Sequence, residues 1–182
     1  MYDDGMPDPH PGAGDVPALD AAQLEAYFAL MEAVSLLQHQ VEQQLRAEGG
    51  LSWVQFQLLA RLADAHGQLT MTQLADGVVY SRSGLTYQAG LLEKAGLLTR
   101  GPSPDDERAT LVTITGDGLA LLSRVMPGHI QVVRRLLFAP MTEEDLHHLG
   151  DIMTRVRDHM RTQPPRSAAP RKRRPAPAAA QD

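Results

Sequence analysis

Between Ser81 and Gln88 the chain reads SRSGLTYQ, a run of hydroxyls, a guanidinium, a phenol and a carboxamide interrupted only by Gly84 and Leu85. Carried on the first turns of a helix, Ser81, Arg82, Ser83, Thr86, Tyr87 and Gln88 have the side-chain ends that reach phosphates and base edges in a DNA major groove. A second stretch, PDDERATLVTIT from Pro104 to Thr115, joins turn formers and Arg108 to a β-branched run. Each feature has a plainer reading by itself. A serine-rich helix start is commonly only a cap, and an arginine in a Pro/Asp-rich loop is commonly a solvated turn residue. The elements around them must decide.

Other chemistries lack local support. There is no cysteine, which excludes a disulfide framework, a thiolate metal site and a cysteine nucleophile. No Walker loop, G-x-G-x-x-G, G-x-S-x-G or H-E-x-x-H motif is present. His39, His66, His129, His147, His148 and His159 are scattered, and the adjacent pair His147 and His148 would point about 100° apart on a helix, poor geometry for one ion. No metal, no cofactor and no enzymatic activity are expected.

The periodicity supplies the positioning elements. Leu24, Tyr27, Phe28, Met31, Val34, Leu37, Val41 and Leu45 recur at steps of three and four, the period of one buried helical stripe, predicting a long first helix stopped by Gly49-Gly50. Ser52 with Gln55, and Thr70 with Gln73, have the form of capping boxes opening a second helix and a short third one. Ser81 then reads as the N-cap of a fourth helix ending at Gly96. LLTR and ATLVTIT, flanking GPSPDDER, predict a two-stranded hairpin. Thr115 caps a fifth helix that Pro127-Gly128 should kink or interrupt, and Thr142 opens a sixth with Leu146, Leu149, Ile152, Met153, Val156 and Met160 on one face. Helix, short helix, tight connection, helix and hairpin follow the order of a winged helix-turn-helix, so the fold class is mainly α with a small β-hairpin wing.

With 182 residues, 43% hydrophobic and 21% charged, the chain fits one soluble globular domain with tails. The net charge of −5 hides opposed ends: residues 1–25 hold six acidic and no basic side chains, while residues 161–182 hold six basic ones, including the run Arg171 to Arg174, against Asp182. Both ends are rich in Pro, Gly and Ala, predicting disorder over 1–18 and 163–182 around a domain at 19–162. No apolar run approaches the ~20 residues that span a bilayer, and the start of the chain is acidic, so a cytoplasmic protein without a membrane partner is expected.

From Gln23 to Met160, through TMTQLADGVVYSRSGLTYQAGLLEKAGLLTR and the Asp106-Glu107-Arg108 form of a D-x-R wing signature, the sequence resembles the MarR family of transcriptional regulators. The resemblance implies a winged helix-turn-helix lobe at 52–115, with dimerisation helices at 19–48 and 116–162 interlocking in a homodimer. It implies double-stranded DNA as partner, contacted by Thr72, Gln73, Ser81, Arg82, Ser83, Thr86, Tyr87 and Gln88. The wing's Arg108 would lie near the minor groove, with Asp106 anchoring the wing's base through an ion pair. Where family members often carry a glycine before the recognition helix and an arginine within it, this chain has Val79 and Tyr87.

The expected function is sequence-specific regulation, as a repressor on a pseudo-palindromic operator with half-site centres about 10 bp apart. Tyr27, Met31, His39 and Trp53 read either as core and dimer packing or as the wall of a site for a small aromatic or lipophilic ligand, the latter as the resemblance suggests. The acidic middle of the chain keeps open an alternative, a winged-helix protein–protein interaction module without specific DNA binding.

Overall fold

A Ser or Thr followed three residues later by Gln or Asp opens three helices of the computed structural model, which describes residues 17–78, 82–104, 106 and 108–162. The expected disorder at the two ends falls mostly outside those residues. Ser52 caps helix α2 (Trp53–Asp64), Thr70 caps α3 (Met71–Gly77) and Thr142 caps α6 (Glu143–Arg161), each in a reciprocal capping box with Gln55, Gln73 or Asp145. At the last of these, hydrogen bonds from the Thr142 backbone and hydroxyl hold the Asp145 carboxyl below its ordinary pKa. Helix α1 (Ala21–Gly49) has a similar box that the sequence reading missed: Gln23 N–H donates to Asp20 Oδ1 at 2.8 Å and Asp20 N–H to Gln23 Oε1 at 3.0 Å. The glycines beyond α1 and α4 (Arg82–Lys94), Gly50 at φ +64° and Gly96 at φ +73°, take the left-handed conformation that ends a helix.

The chain divides into two compact units, one ending at Leu36 and one beginning at Leu37. The expected stripe of α1 is buried only at Val41 and Leu45; in the first unit its side chains Leu24, Tyr27, Phe28, Met31 and Val34 are exposed in the single chain. The second holds the core, where Val41 and Leu45 of α1 join Phe56, Leu58, Leu59 and Leu62 of α2, Leu74 of α3, Leu85 and Leu92 of α4, and Leu121, Leu122 and Val125 of α5 (Gly116–Val133).

The expected two-stranded hairpin is a three-stranded antiparallel sheet. Strands β2 (Leu98–Pro102) and β3 (Thr110–Ile114) pair as read, and the three-residue β1 (Gln68–Thr70) adds to the other edge of β3, with Leu69 opposite Val112. Pro127 neither interrupts α5 nor separates two helices: the helix runs through it and continues as a π-helical turn over Arg134–Phe138. Tertiary packing overrides the proline. Leu121, Leu122 and Val125 are buried ahead of it, Gln44 Nε2 of α1 donates to the Val125 carbonyl at 3.0 Å, and Gly128 lets Gln44 and Glu48 lie against α5 where any Cβ would strike them.

Candidate nucleic-acid interface

Helix α4 turns a dry face inward and a polar face outward. Leu85, Ala89 and Leu92 are fully buried at a spacing of four and three, fixing the helix on the core, and the same periodicity leaves Ser83, Thr86 and Tyr87 exposed. Tyr87 is 65% exposed, its phenol free of the core. Gln88 flanks the buried stripe three residues after Leu85; it is half-buried and its Oε1 is shielded from solvent without a hydrogen-bond partner. Ser81, the expected N-cap, and the side chain of Arg82 lie outside the described residues.

On α3, Thr72 and Gln73 are both exposed. The Gln73 carbonyl oxygen is committed to the cap, accepting from Thr70 N–H at 2.8 Å and Thr70 Oγ1 at 3.0 Å, which leaves its NH2 as the group able to meet a phosphate. In the wing, Arg108 and Asp106 are exposed. Asp106 shapes the turn through the backbone: its Oδ1 accepts from Arg108 N–H at 2.9 Å, and its carbonyl from Ala109 N–H at 2.9 Å. Among the described residues it makes no ion pair. The carboxylate sits two residues before Arg108, within reach of the local N–H, and satisfying that donor shapes the turn.

The ion pair at the base of the wing is Glu93–Arg100, which the sequence reading missed. Glu93 in the last turn of α4 takes Arg100 Nη2 at 2.6 Å, Nε at 3.0 Å and the Arg100 backbone N–H at 3.0 Å, tying α4 to β2. The Arg100 guanidinium holds the Glu93 carboxyl below its ordinary pKa. A glutamate and an arginine seven residues apart across a helix end form no recognised motif, so only the turn at Gly96 brings them together.

The proposed ligand residues fall in both units. Tyr27 and Met31 lie in the first, Tyr27 edge-on to Phe28 at 5.4 Å. His39 and Trp53 lie in the second, His39 Nε2 being 3.0 Å from Gln43 Nε2 on an exposed stretch of α1. Trp53 stacks on Phe56 at 5.8 Å, and the His129 ring of α5 lies 4.6 Å from Phe56 and 6.2 Å from Trp53. Two surface grooves, of about 400 Å3 beside Pro127, Ile130 and Arg134 and about 320 Å3 beside Phe56, Arg61 and Gly77, include none of the four.

Burial lowers the His129 pKa, and Nδ1 is shielded without a partner. A folded-state pKa below the unfolded one means that unfolding takes up protons, so stability is full above the ordinary histidine range near pH 6.5 and falls as pH drops below it. Thermal melts between about pH 7.5 and pH 5.5 are expected to show a shallower loss in His129→Gln than in the parent; parallel curves would remove His129 from the acid response. No group of three or more histidines and acids able to hold a metal occurs among the described residues, and no described helix is long and apolar enough to cross a membrane.

Comparison with known proteins agrees with this geometry. The MarR family model matches residues 49–109. The HTH-type transcriptional regulator PecS of Dickeya dadantii is 31% identical over 132 residues, covering 71% of this chain and 79% of PecS. The chain belongs to the MarR family. It is a DNA-binding transcriptional regulator and not an enzyme, and the winged helix-turn-helix is its fold. The transcriptional repressor YetL of Bacillus subtilis is 28% identical over 142 residues, covering 76% of this chain and 84% of YetL. Among solved structures, Sco3205, a MarR family regulator of Streptomyces coelicolor in complex with DNA, superposes with a TM-score of 0.75 at 33% identity, covering 83% of this chain and 94% of that one. The segment that the family model matches holds α3, α4 and the loop that carries Arg108.

Proposed function

We propose that this MarR regulator is a homodimeric repressor that binds a pseudo-palindromic operator, with one α4 reading each half-site in the major groove and one wing reaching an adjacent minor groove. The carrying observation is the pair of faces on α4: Leu85, Ala89 and Leu92 are buried, while Ser83, Thr86 and Tyr87 stand exposed on the same lobe as Arg108. Short polar ends on a rigid helix can make directional contacts to base edges, and a wing arginine adds contact to the sugar–phosphate backbone. Ser81, Arg82, Thr72, Gln73 and Gln88 complete the proposed contact set, with Asp106 shaping the wing turn. The similarity to YetL supports repression over activation.

Residues 19–162 form the working domain in this reading. The basic run Arg171 to Arg174 beyond it adds sequence-independent, salt-sensitive affinity by releasing counterions from DNA. Small-molecule control rests on the cluster of Trp53 stacked on Phe56 with the tilted His129 ring beside them, whose aromatic faces suit a small aromatic or lipophilic ligand.

The test is a fluorescence-anisotropy titration against a duplex enriched from a randomised library by the protein itself, with scrambled duplex as competitor. Arg82→Ala and Arg108→Ala are each expected to weaken binding by about tenfold or more while the protein stays dimeric. Normal binding by both variants would show that the reading surfaces are assigned wrongly.

A further inference from the structure

Arg61 of α2 donates from Nη2 to the carbonyl oxygen of Gly77 at 2.9 Å, a side-chain contact across sixteen residues. Gly77 is the last residue of α3. A helix leaves its final carbonyls without intrahelical partners and with partial negative charge, and a guanidinium meets both needs. The contact is close on its other side as well: a Cβ placed on Gly77 would lie 3.2 Å from Arg61 Nε and 3.3 Å from Cζ, so a side chain there makes the guanidinium give by a few tenths of an ångström. Helix α3 has seven residues and only Leu74 fully in the core. Its start is held locally by the Thr70–Gln73 box, and its end is held from α2.

We propose that Arg61 is a positioning residue for DNA recognition. Its guanidinium fixes the C-terminal end of α3 on α2, and so sets the point from which the chain enters α4 at Arg82, with Gly77 as the partner that leaves it room. This rests on the reading of α4 as the DNA-reading helix. Because Arg61 is exposed, the bond contributes little to global stability, while a small displacement at the end of α3 shifts the polar groups of α4 against the base edges. The loss should therefore fall on specific binding.

The experiment is a double-mutant cycle in the full chain, reading affinity for the library-selected duplex and for a scrambled duplex. Arg61→Ala is expected to weaken the selected duplex about five- to tenfold and the scrambled one less, narrowing the ratio between them. Gly77→Ala retains Arg61 and adds one methyl group against its guanidinium; it is expected to reproduce part of that loss, and it keeps the test open should Arg61→Ala fold poorly. The double variant is expected to bind no worse than the weaker single variant. Losses that multiply, or equal losses on both duplexes, overturn the proposal.

A control separates the two readings. If Ser83→Ala with Tyr87→Ala weakens specific binding but neither Arg61→Ala nor Gly77→Ala does, the positioning role alone is overturned. If the α4 variant also binds normally, the reading of α4 fails and the positioning role fails with it.

Discussion

Ile152→Asp combined with Val156→Asp is expected to leave the protein monomeric and to weaken operator binding by about two to four orders of magnitude. Helix α6 is amphipathic and locally capped, yet none of its residues is buried in the single chain. Leu146, Ile152, Val156 and Met160 are exposed, Met160 at 66%. An isolated helix gains little from its backbone alone, and a stripe of that kind is ordinarily stabilised by burial against another surface. A second copy is the occupant proposed for this regulator. Two aspartates placed in the middle of the stripe would have to be desolvated in the interface, a cost that aliphatic contacts cannot offset. Once the copies separate, each lobe binds its half-site without the high effective concentration that linkage provides. Size-exclusion chromatography with light scattering gives the mass, and the anisotropy titration gives the affinity. A variant that remains dimeric would remove α6 from the interface, and a monomer with undiminished affinity would remove the two-half-site mode of binding.

Leu85→Ala carries the second large effect, on the fold of the DNA-binding lobe. Leu85 is wholly buried on α4 within the cluster that includes Leu59, Leu62, Leu74 and Leu92. Truncating a fully buried leucine removes its transfer free energy and leaves a cavity that the neighbours fill only in part, together worth about 2–5 kcal/mol. That is a large share of the roughly 5–15 kcal/mol by which domains are stable. Urea unfolding should show a lower midpoint with the slope little changed, and DNA binding should fall with the folded fraction. Leu85→Met keeps most of the volume and should cost less than about 1.5 kcal/mol. An alanine variant as stable as the parent would mean that α4 is not anchored through this residue.

Capping signals and helical spacing were legible because both are local. Ser52–Gln55, Thr70–Gln73 and Thr142–Asp145 each satisfy helix-start donors within four residues, and the structure forms all three boxes. The exposed polar face of α4 was legible for the same reason: once Leu85 and Leu92 mark the buried stripe, the period of the helix places Ser83 and Tyr87 outside it. Gln88 shows the limit of that reasoning. Its residue type suits a base edge, but its place beside the stripe half-buries it.

Strand β1 was missed because three residues, Gln68–Thr70, carry no alternation long enough to read, and their strand character comes from pairing with β3 more than forty residues later. The ion pair expected of Asp106 came from the family resemblance; the backbone N–H that it binds could not be read from the sequence, because it becomes available only when the turn closes. By itself the sequence determined the helices, the capping boxes of α2, α3 and α6, the buried stripe of α4 and the family, since these depend on side-chain type and on spacings of three to four residues. The tertiary structure alone decided the third strand, the unbroken passage of α5 through Pro127, the Glu93–Arg100 tie and the reach of Arg61 to Gly77. Each of these brings groups together across turns or between elements, and such distances are set by packing the core.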